Sequence, residues 1–383
     1  MSSNAIVAPI AAWLLNEAKA LPSLDVVVDA LCERLNVAGV PIDRAIMSTQ
    51  TLHAIHLSYF RLWQSDGSHV SDTFDRDEVH LGYFERSPLR VIVETGQPVE
   101  LRVAETPDEA YGIVPDLKRD GYTHYLAVPL HFSDGVNNQL SWATKRAGGF
   151  TEDDVAVLRA IEPALSAALE IRMLRRAMVE TLQTYLGDEP GRRVAQGAIV
   201  RGEVSEIKAA ILFADLRGFT ASSMHLGSDV LVQLLNDYYA CLIPAVERQG
   251  GDVLKLIGDG MLAIFPDAEG DAPLRALAAA CEAQAAIGEA NARGSEWPEL
   301  AAGIALHHGT AAYGNIGSTT RLDFTVIGRD VNLASRICGI CREAGAPVLM
   351  SEAFCDRLGG DAEEVGVFAL RGIAEAVTLY RPL

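Results

Sequence analysis

The sequence predicts an α+β/α/β chain of two domains joined by a helical linker. Three observations predict it. The 383 residues exceed the roughly 100–200 of one domain. Strand-like and helix-like runs fill two separate regions. Between them, over residues 151–190, apolar positions recur at helical steps.

Composition sets the broad class. With 49% hydrophobic and 22% charged residues, the chain has enough apolar material for buried cores. Its net charge of −19 argues against nonspecific binding to nucleic acid or an anionic membrane, because both need clustered Lys and Arg. It does not argue against a nucleotide, which needs only a few local cations and can borrow metal ions. Met1-Ser2-Ser3-Asn4-Ala5 lacks the basic start of a signal peptide, and no apolar run approaches the roughly 20 residues that span a bilayer. The most apolar stretch, Leu274 to Ile287, is Ala-rich, is interrupted by Arg275, Glu282 and Gln284, and reads as a packed helix. The 6 cysteines are too sparse for a disulfide framework. Cys338 and Cys341 form one Cys-x-x-Cys without a second pair or nearby His, which reads as two small helix residues. The expected compartment is the cytoplasm.

The first region, residues 1–150, opens with an amphipathic helix at Leu24–Leu35. His53 to Trp63 alternates like a strand, and Gln64-Ser65-Asp66-Gly67 supplies its turn. Ser87-Pro88 starts a short helix that Gly96 ends, before a strand through Val99 and Leu101. Tyr122 to Phe132 and Asn138 to Thr144 read as strands around Ser133-Asp134-Gly135. At Val91 to Val99, Tyr125 to Leu130 and Gly149 to Asp154, the order and spacing resemble a GAF domain. That resemblance implies a sensor fold and leaves its ligand unknown. Of the 9 histidines, six precede residue 132, but a lone His on a strand is more often structural than a haem ligand.

Thr151 suits the N-cap of the linker helix, with Glu152-Asp153-Asp154 complementing the helix dipole. Val155, Leu158, Ile161, Leu165, Leu169, Leu174, Met178 and Leu182 approximate a heptad stripe. Its start suits packing on the first region and its end suits helix pairing. Gly187 to Gly191 breaks the pattern.

The second region, residues 191–383, carries the chemistry. Ala209 to Ala214 is a continuous apolar run suited to a buried central strand, and it ends at Asp215 before Leu216-Arg217-Gly218-Phe219-Thr220. A carboxylate at a strand end suits a metal ion, and N–H groups of the next turn suit phosphate. A second carboxylate, Asp259, comes 44 residues later in the hairpin signal Gly258-Asp259-Gly260. Brought together, the two could hold two divalent cations, Mg²⁺ or Mn²⁺. Third, a helix starting near Asp330 would place Asn332 and Arg336 on one face, where amide and guanidinium suit charge growing on a phosphoryl group. Each signal is weak alone.

Together, Phe213-Ala214-Asp215-Leu216-Arg217-Gly218-Phe219-Thr220, Lys255-Leu256-Ile257-Gly258-Asp259-Gly260 and Val331-Asn332-Leu333-Ala334-Ser335-Arg336 resemble the class III adenylyl/guanylyl cyclase catalytic domain in order and spacing. The resemblance covers about residues 205–383. It implies a ferredoxin-like α+β fold and a homodimer with two composite sites, each combining metal carboxylates of one copy with Asn and Arg of the other. Asp215, Asp259 and the Leu216 backbone would bind the metals; Gly218, Phe219 and Thr220 would cradle phosphates; Lys255 and Thr325 would read adenine. Asn332 would orient the ribose, Arg336 would stabilise the transition state, and Arg371 stands where the family usually has a phosphate-binding Lys. The implied reaction is attack of the ATP 3′-hydroxyl on its own α-phosphate, yielding cyclic AMP and pyrophosphate under control of the sensor. The Thr325 type also resembles cyclases stimulated by bicarbonate.

Two alternatives stand beside this reading. Guanylyl cyclases tend to carry an acidic residue at the position of Lys255 and Cys at that of Thr325, so this pair favours adenine; Thr, which donates and accepts, decides less than Asp would. A catalytically silent module for binding or dimerisation usually loses a metal Asp or the Asn/Arg pair, and all are present here. Gly250-Gly251-Asp252 suggests a diguanylate cyclase loop but lacks the following Glu-Phe.

Overall fold

The computed structural model describes residues 3–50, 56–75, 84–135, 137–294, 297–360 and 362–383. The chain divides into two compact units, Met1–Thr181 and Leu182–Leu383. Residues 53–55 of the first expected strand lie outside the described residues.

In the first unit, helices α1 (Ser3–Asn16) and α2 (Leu24–Val37) precede strands β1 (Arg44–Gln50), β2 (His56–Gln64) and β3 (His69–Asp75). Then come α3 (Pro88–Thr95), β4 (Val99–Arg102), α4 (Val114–Arg119), β5 (His124–His131) and β6 (Asn137–Thr144). The strands form one antiparallel sheet in the order β3-β2-β1-β6-β5-β4. Ser87 caps α3, and Gly96 ends it at φ 66°, a left-handed conformation that Gly adopts without a Cβ penalty. Alternation sorts the sheet's two faces. Leu126, Val128, Leu140 and Trp142 join the core of α1 and α2, whereas Tyr125, Ala127 and Ala143 face the smaller core of α3 and α4.

The linker begins as expected at Thr151, but it is two helices, α5 (Glu152–Ala160) and α6 (Glu162–Leu186). Thr151 and Asp154 form a reciprocal capping box, Asp154 N–H donating to Thr151 Oγ1 at 3.2 Å and Thr151 N–H to Asp154 Oδ2 at 2.8 Å. Pro163 explains the break at Ile161: it has no N–H, and its ring would collide with a carbonyl one turn back. Val157, Leu158, Leu165, Leu169 and Met173 are buried in the first core, while Ile171, Leu174, Met178 and Tyr185 are exposed.

Gly187 at φ 93° ends α6, yet Asp188–Ala195 then forms α7, so residues 188–191 continue as helix where the sequence suggested a break. Pro190 sits in the first turn, where no intrahelical N–H donor is missed.

The second unit continues with β7 (Val204–Leu216), the short α8 (Phe219–Ser222), α9 (Ser228–Arg248), β8 (Asp252–Ile257), β9 (Gly260–Pro266), α10 (Ala272–Arg293) and β10 (Ala302–Gly317). After these come β11 (Leu322–Ile327), α11 (Arg329–Ile340), β12 (Val348–Ser351), α12 (Glu352–Leu358), β13 (Ala362–Phe368) and β14 (Val377–Pro382). The sheet runs β13-β14-β12-β10-β7-β9-β8, with β11 beside β10. Within it, β7-α9-β8-β9-α10-β10 with strands ordered β10-β7-β9-β8 is the ferredoxin-like arrangement. Central β7 is buried on both faces. Ala210, Leu212 and Ala214 pack under α9 and α10; Ala209 and Ile211 share the opposite core with Val331 and Ala334 of α11. Among the described residues, no helix is long and apolar enough to cross a membrane.

Candidate active site

The apolar run of β7 fixes where Asp215 stands. Antiparallel pairing sets Asp215 opposite Gly260 of β9 and Gly303 of β10. The β8–β9 hairpin closes through Gly258 and Asp259, with Gly258 at φ 65°. Leu216 N–H donates to the carbonyl of Asp259 at 3.2 Å, so the strand end and the hairpin meet. Their side chains meet too, for Asp215 and Asp259 share a hydrogen bond between carboxyls. Partial burial first, then the negative charge of Asp259 and that hydrogen bond, raise the Asp215 carboxyl to about 6.

The surroundings hold this pair in place. Tyr239 of α9 donates its hydroxyl to Gly258 O at 2.7 Å and reaches Gly260 O at 3.3 Å, pinning the hairpin. Burial, then Asp259 and Asp215, push the Tyr239 hydroxyl up to about 12, so it stays a donor. Arg217 bonds Ala301 O through its N–H at 2.8 Å, and its guanidinium donates to Ala346 O at 2.8 Å and Cys341 O at 3.1 Å. Its charge is thus spent on carbonyls. Gly218 at φ 81° turns the chain into α8; Gly218 and Thr220 are exposed, and Phe219 packs against the core.

Lys255 lies on β8, half-buried, where the register shifts against β9: Val253 faces Ala263 but Lys255 faces Leu262, leaving Leu254 as an extra residue. Its ammonium is paired with the Asp323 carboxylate of β11. Thr325, two residues on and so on the same face of β11, is buried. On α11, Val331, Ala334, Ile337 and Cys338 are buried while Asn332 and Arg336 are exposed one turn apart. Among the described residues, neither makes a side-chain hydrogen bond or ion pair. Arg371 is exposed in the loop between β13 and β14, beside buried Leu370. The fold therefore brings Asp215 to Asp259 and Lys255 to Asp323. Among the described residues, no hydrogen bond or ion pair joins Asn332, Arg336 or Arg371 to the carboxylates.

Cys338 lies on α11 and Cys341 caps its end, both buried, with Cys338 Sγ donating to Gly303 O at 3.2 Å. Among the described residues, no three His, Cys, Asp or Glu side chains cluster as metal ligands. What the site offers a cation is two carboxylates beside a strand-end backbone. These are hard oxygen donors, and that suits Mg²⁺ or Mn²⁺.

Three residues here escaped the sequence reading. Asp323 left a signal, since a strand alternates with period two and Asp323 and Thr325 must share a face. Tyr239 left none. Asp330 was visible as a helix start, but not as a side chain bonded to another element.

The second unit has the fold of an adenylate/guanylate cyclase catalytic domain. Residues 204–376 match the family model described as the adenylate and guanylate cyclase catalytic domain. Over 244 residues the chain is 33% identical to an adenylate cyclase of Anabaena cylindrica, which covers 58% of this chain and 48% of that protein. It is 28% identical over 176 residues to the terminal-differentiation-specific adenylate cyclase of Dictyostelium discoideum, of which it spans 8%. The chain thus spans half or less of these relatives. Among solved structures, the adenylyl cyclase CyaB from P. aeruginosa is 28% identical, with a TM-score of 0.41 over 47% of this chain and 96% of that one. The guanylyl cyclase Cya2 is 30% identical, with a TM-score of 0.42 over 46% and 92%. A bacterial light-regulated adenylyl cyclase, 20% identical, shares the fold over 70% of this chain and 87% of its own, with a TM-score of 0.50.

Proposed function

We propose that the chain is an adenylate cyclase that converts ATP to 3′,5′-cyclic AMP and pyrophosphate. The observation that carries the reaction class is the Asp215–Asp259 pair, two carboxyls held together at a strand end and a hairpin. Asp215, Asp259 and the Leu216 backbone would hold two divalent cations, Mg²⁺ or Mn²⁺, which supply hydroxyl activation and charge neutralisation. The 3′-hydroxyl attacks the α-phosphorus in line, and the bond to the bridging oxygen breaks to release pyrophosphate.

This chain's residues position and neutralise. Lys255 and Thr325 face the purine, Asn332 orients the ribose, and Arg336 stabilises charge growing on the α-phosphate. Gly218, Phe219 and Thr220 cradle the phosphates, and Arg371 reaches the terminal ones. Since, among the described residues, no hydrogen bond or ion pair joins Asn332 or Arg336 to the carboxylates, a second copy would complete the site, giving a homodimer with two equivalent centres. ATP as substrate places the domain in the cytoplasm.

We read residues 1–150 as a GAF-like sensor, 151–190 as the linker and 191–383 as the catalytic domain. The exposed Ile171, Leu174 and Met178, spaced as a heptad seam, support helix pairing. GTP is the second reading, because Thr325 both donates and accepts and the similar structures include a guanylyl cyclase.

The test is an assay of purified full chain with Mn²⁺ and ATP or GTP, beside Asp215→Ala and Arg336→Ala. Cyclic AMP should form from ATP, fall at least a hundredfold in each variant (on the order of the electrostatic contributions lost), and return in part when the two variants are mixed. Cyclic GMP as the main product would establish the second reading. No product from either nucleotide would favour a silent module.

A further inference from the structure

The outer edge of β10 has a gap. Its residues Ile304–Leu306 pair with β12 and Ala312–Gly317 with β11, so among the described residues no strand covers the edge between them. The first turn of α11 enters there. Asp330 Oδ2 accepts the N–H of Thr310 at 2.7 Å. The carboxylate lies in the volume that any side chain at residue 309 would fill: a Cβ on Gly309 would fall 2.2 Å from Oδ2 and 2.5 Å from Cγ. Oδ1 stands 3.7 Å from Nε2 of buried His307, whose Nδ1 is 2.7 Å from Ser351 Oγ. Ser351 in turn caps α12 by accepting Phe354 N–H at 3.2 Å.

An acidic residue in a first helical turn ordinarily complements the dipole and faces water. Asp330 instead bonds a neighbouring strand, and its side chain is only 28% exposed. Asn332 and Arg336 follow it by two and six residues on the same rigid element, so the seat of Asp330 fixes the height and rotation at which both emerge. We propose that Asp330, seated against Gly309 and Thr310, is the positioning residue for the Asn332/Arg336 half of the composite site. It acts through α11 and touches no substrate. This rests on the cyclase reading above.

The test uses full-length protein, Mn²⁺ and ATP. Asp330→Ala should lower kcat about tenfold to a hundredfold, the scale of a misplaced catalytic group, with KM changed by less than about threefold. Asp330→Asn keeps an acceptor for Thr310 and should recover most of kcat. Gly309→Ala, which evicts the carboxylate without removing it, should reproduce Asp330→Ala. Should Asp330→Ala fail to fold, Asp330→Ser, one atom too short for the Thr310 bond, takes its place.

Mixed dimers locate the defect. Asp330→Ala mixed with Asp215→Ala should regain activity, because one site then has both halves intact; mixed with Arg336→Ala it should not. Unchanged kcat, a Gly309→Ala of normal activity, or the opposite mixing pattern would overturn the inference. If Asp215→Ala and Arg336→Ala fail to complement each other, the composite-site reading falls, and the kcat comparison alone decides the role of Asp330.

Discussion

Lys255 and Asp323 are paired across strands that lie 68 residues apart in sequence. The carboxylate holds the ammonium on the face where Thr325 also lies. Asp323→Asn should therefore lower kcat/KM for ATP about threefold to fivefold, the range of a half-exposed ion pair, and narrow the ATP-to-GTP preference. Parallel kinetics with both nucleotides measure it, and an unchanged ratio would remove Asp323 from purine selection. Asp154 offers a second test. Burial pushes its carboxyl up, but the Thr151 hydroxyl and N–H and the Arg146 guanidinium outweigh this and hold it below the usual range. With the folded value depressed, its stabilisation is fully present above the unfolded value of roughly 3.9 and is lost as pH falls through the folded value. Asp154→Ala should remove about 1–2 kcal/mol at neutral pH and flatten the acid limb of a stability-versus-pH curve. Asp215 and Asp259 were legible because a strand end and a Gly-Asp-Gly turn announce themselves locally. Asp323 and Tyr239 were not, because their partners come from elsewhere in the chain.

At the scale of elements, the same division holds. Caps and turns were readable: Ser87 and Gly96 around α3, Thr151 before α5, and the Gly258–Asp259 hairpin. The break in the linker at Pro163 and the whole of α7 were not, because Pro190 and Gly191 resemble breakers until one sees that they fall in a first turn. Gly187 is the true break. Its φ of 93° and the position of Val253 O, 2.4 Å from where a Cβ would stand, admit no other residue without strain. Gly187→Ala should cost about 2–3 kcal/mol by chemical denaturation. Gly197→Ala, at φ 99° but with open space around it, should cost less. Equal losses would mean that the contact with β8 contributes nothing.

For the whole molecule, local patterning gave two globular regions and the linker between them, while the strand orders β3-β2-β1-β6-β5-β4 and β13-β14-β12-β10-β7-β9-β8 rest on pairings that composition and periodicity do not encode. The ferredoxin-like part was legible only through the resemblance carried by its site motifs. Assembly belongs to this scale. If a second copy completes the site, specific activity must fall on dilution. Leu174→Glu, which puts charge into the exposed seam of α6, should weaken self-association about tenfold or more by sedimentation. Activity restored at high protein concentration would show that the substitution acts on association rather than on chemistry, whereas unaltered sedimentation would exclude the seam as an interface.

The extra residue Leu254 has one more consequence. β8 ends the sheet's order beyond β9, with Leu256 and Ile257 exposed, the kind of border on which foreign strands can template. The bulge interrupts the regular ladder along that border and so makes it a poor template. Deleting Leu254 would make the ladder regular, with Val253 opposite Ala263 and Lys255 still opposite Leu262, so the lysine would keep its face while the border lost its interruption. What the extra residue supplies is thus the protection of an open border against strand addition, separate from the aim of the lysine.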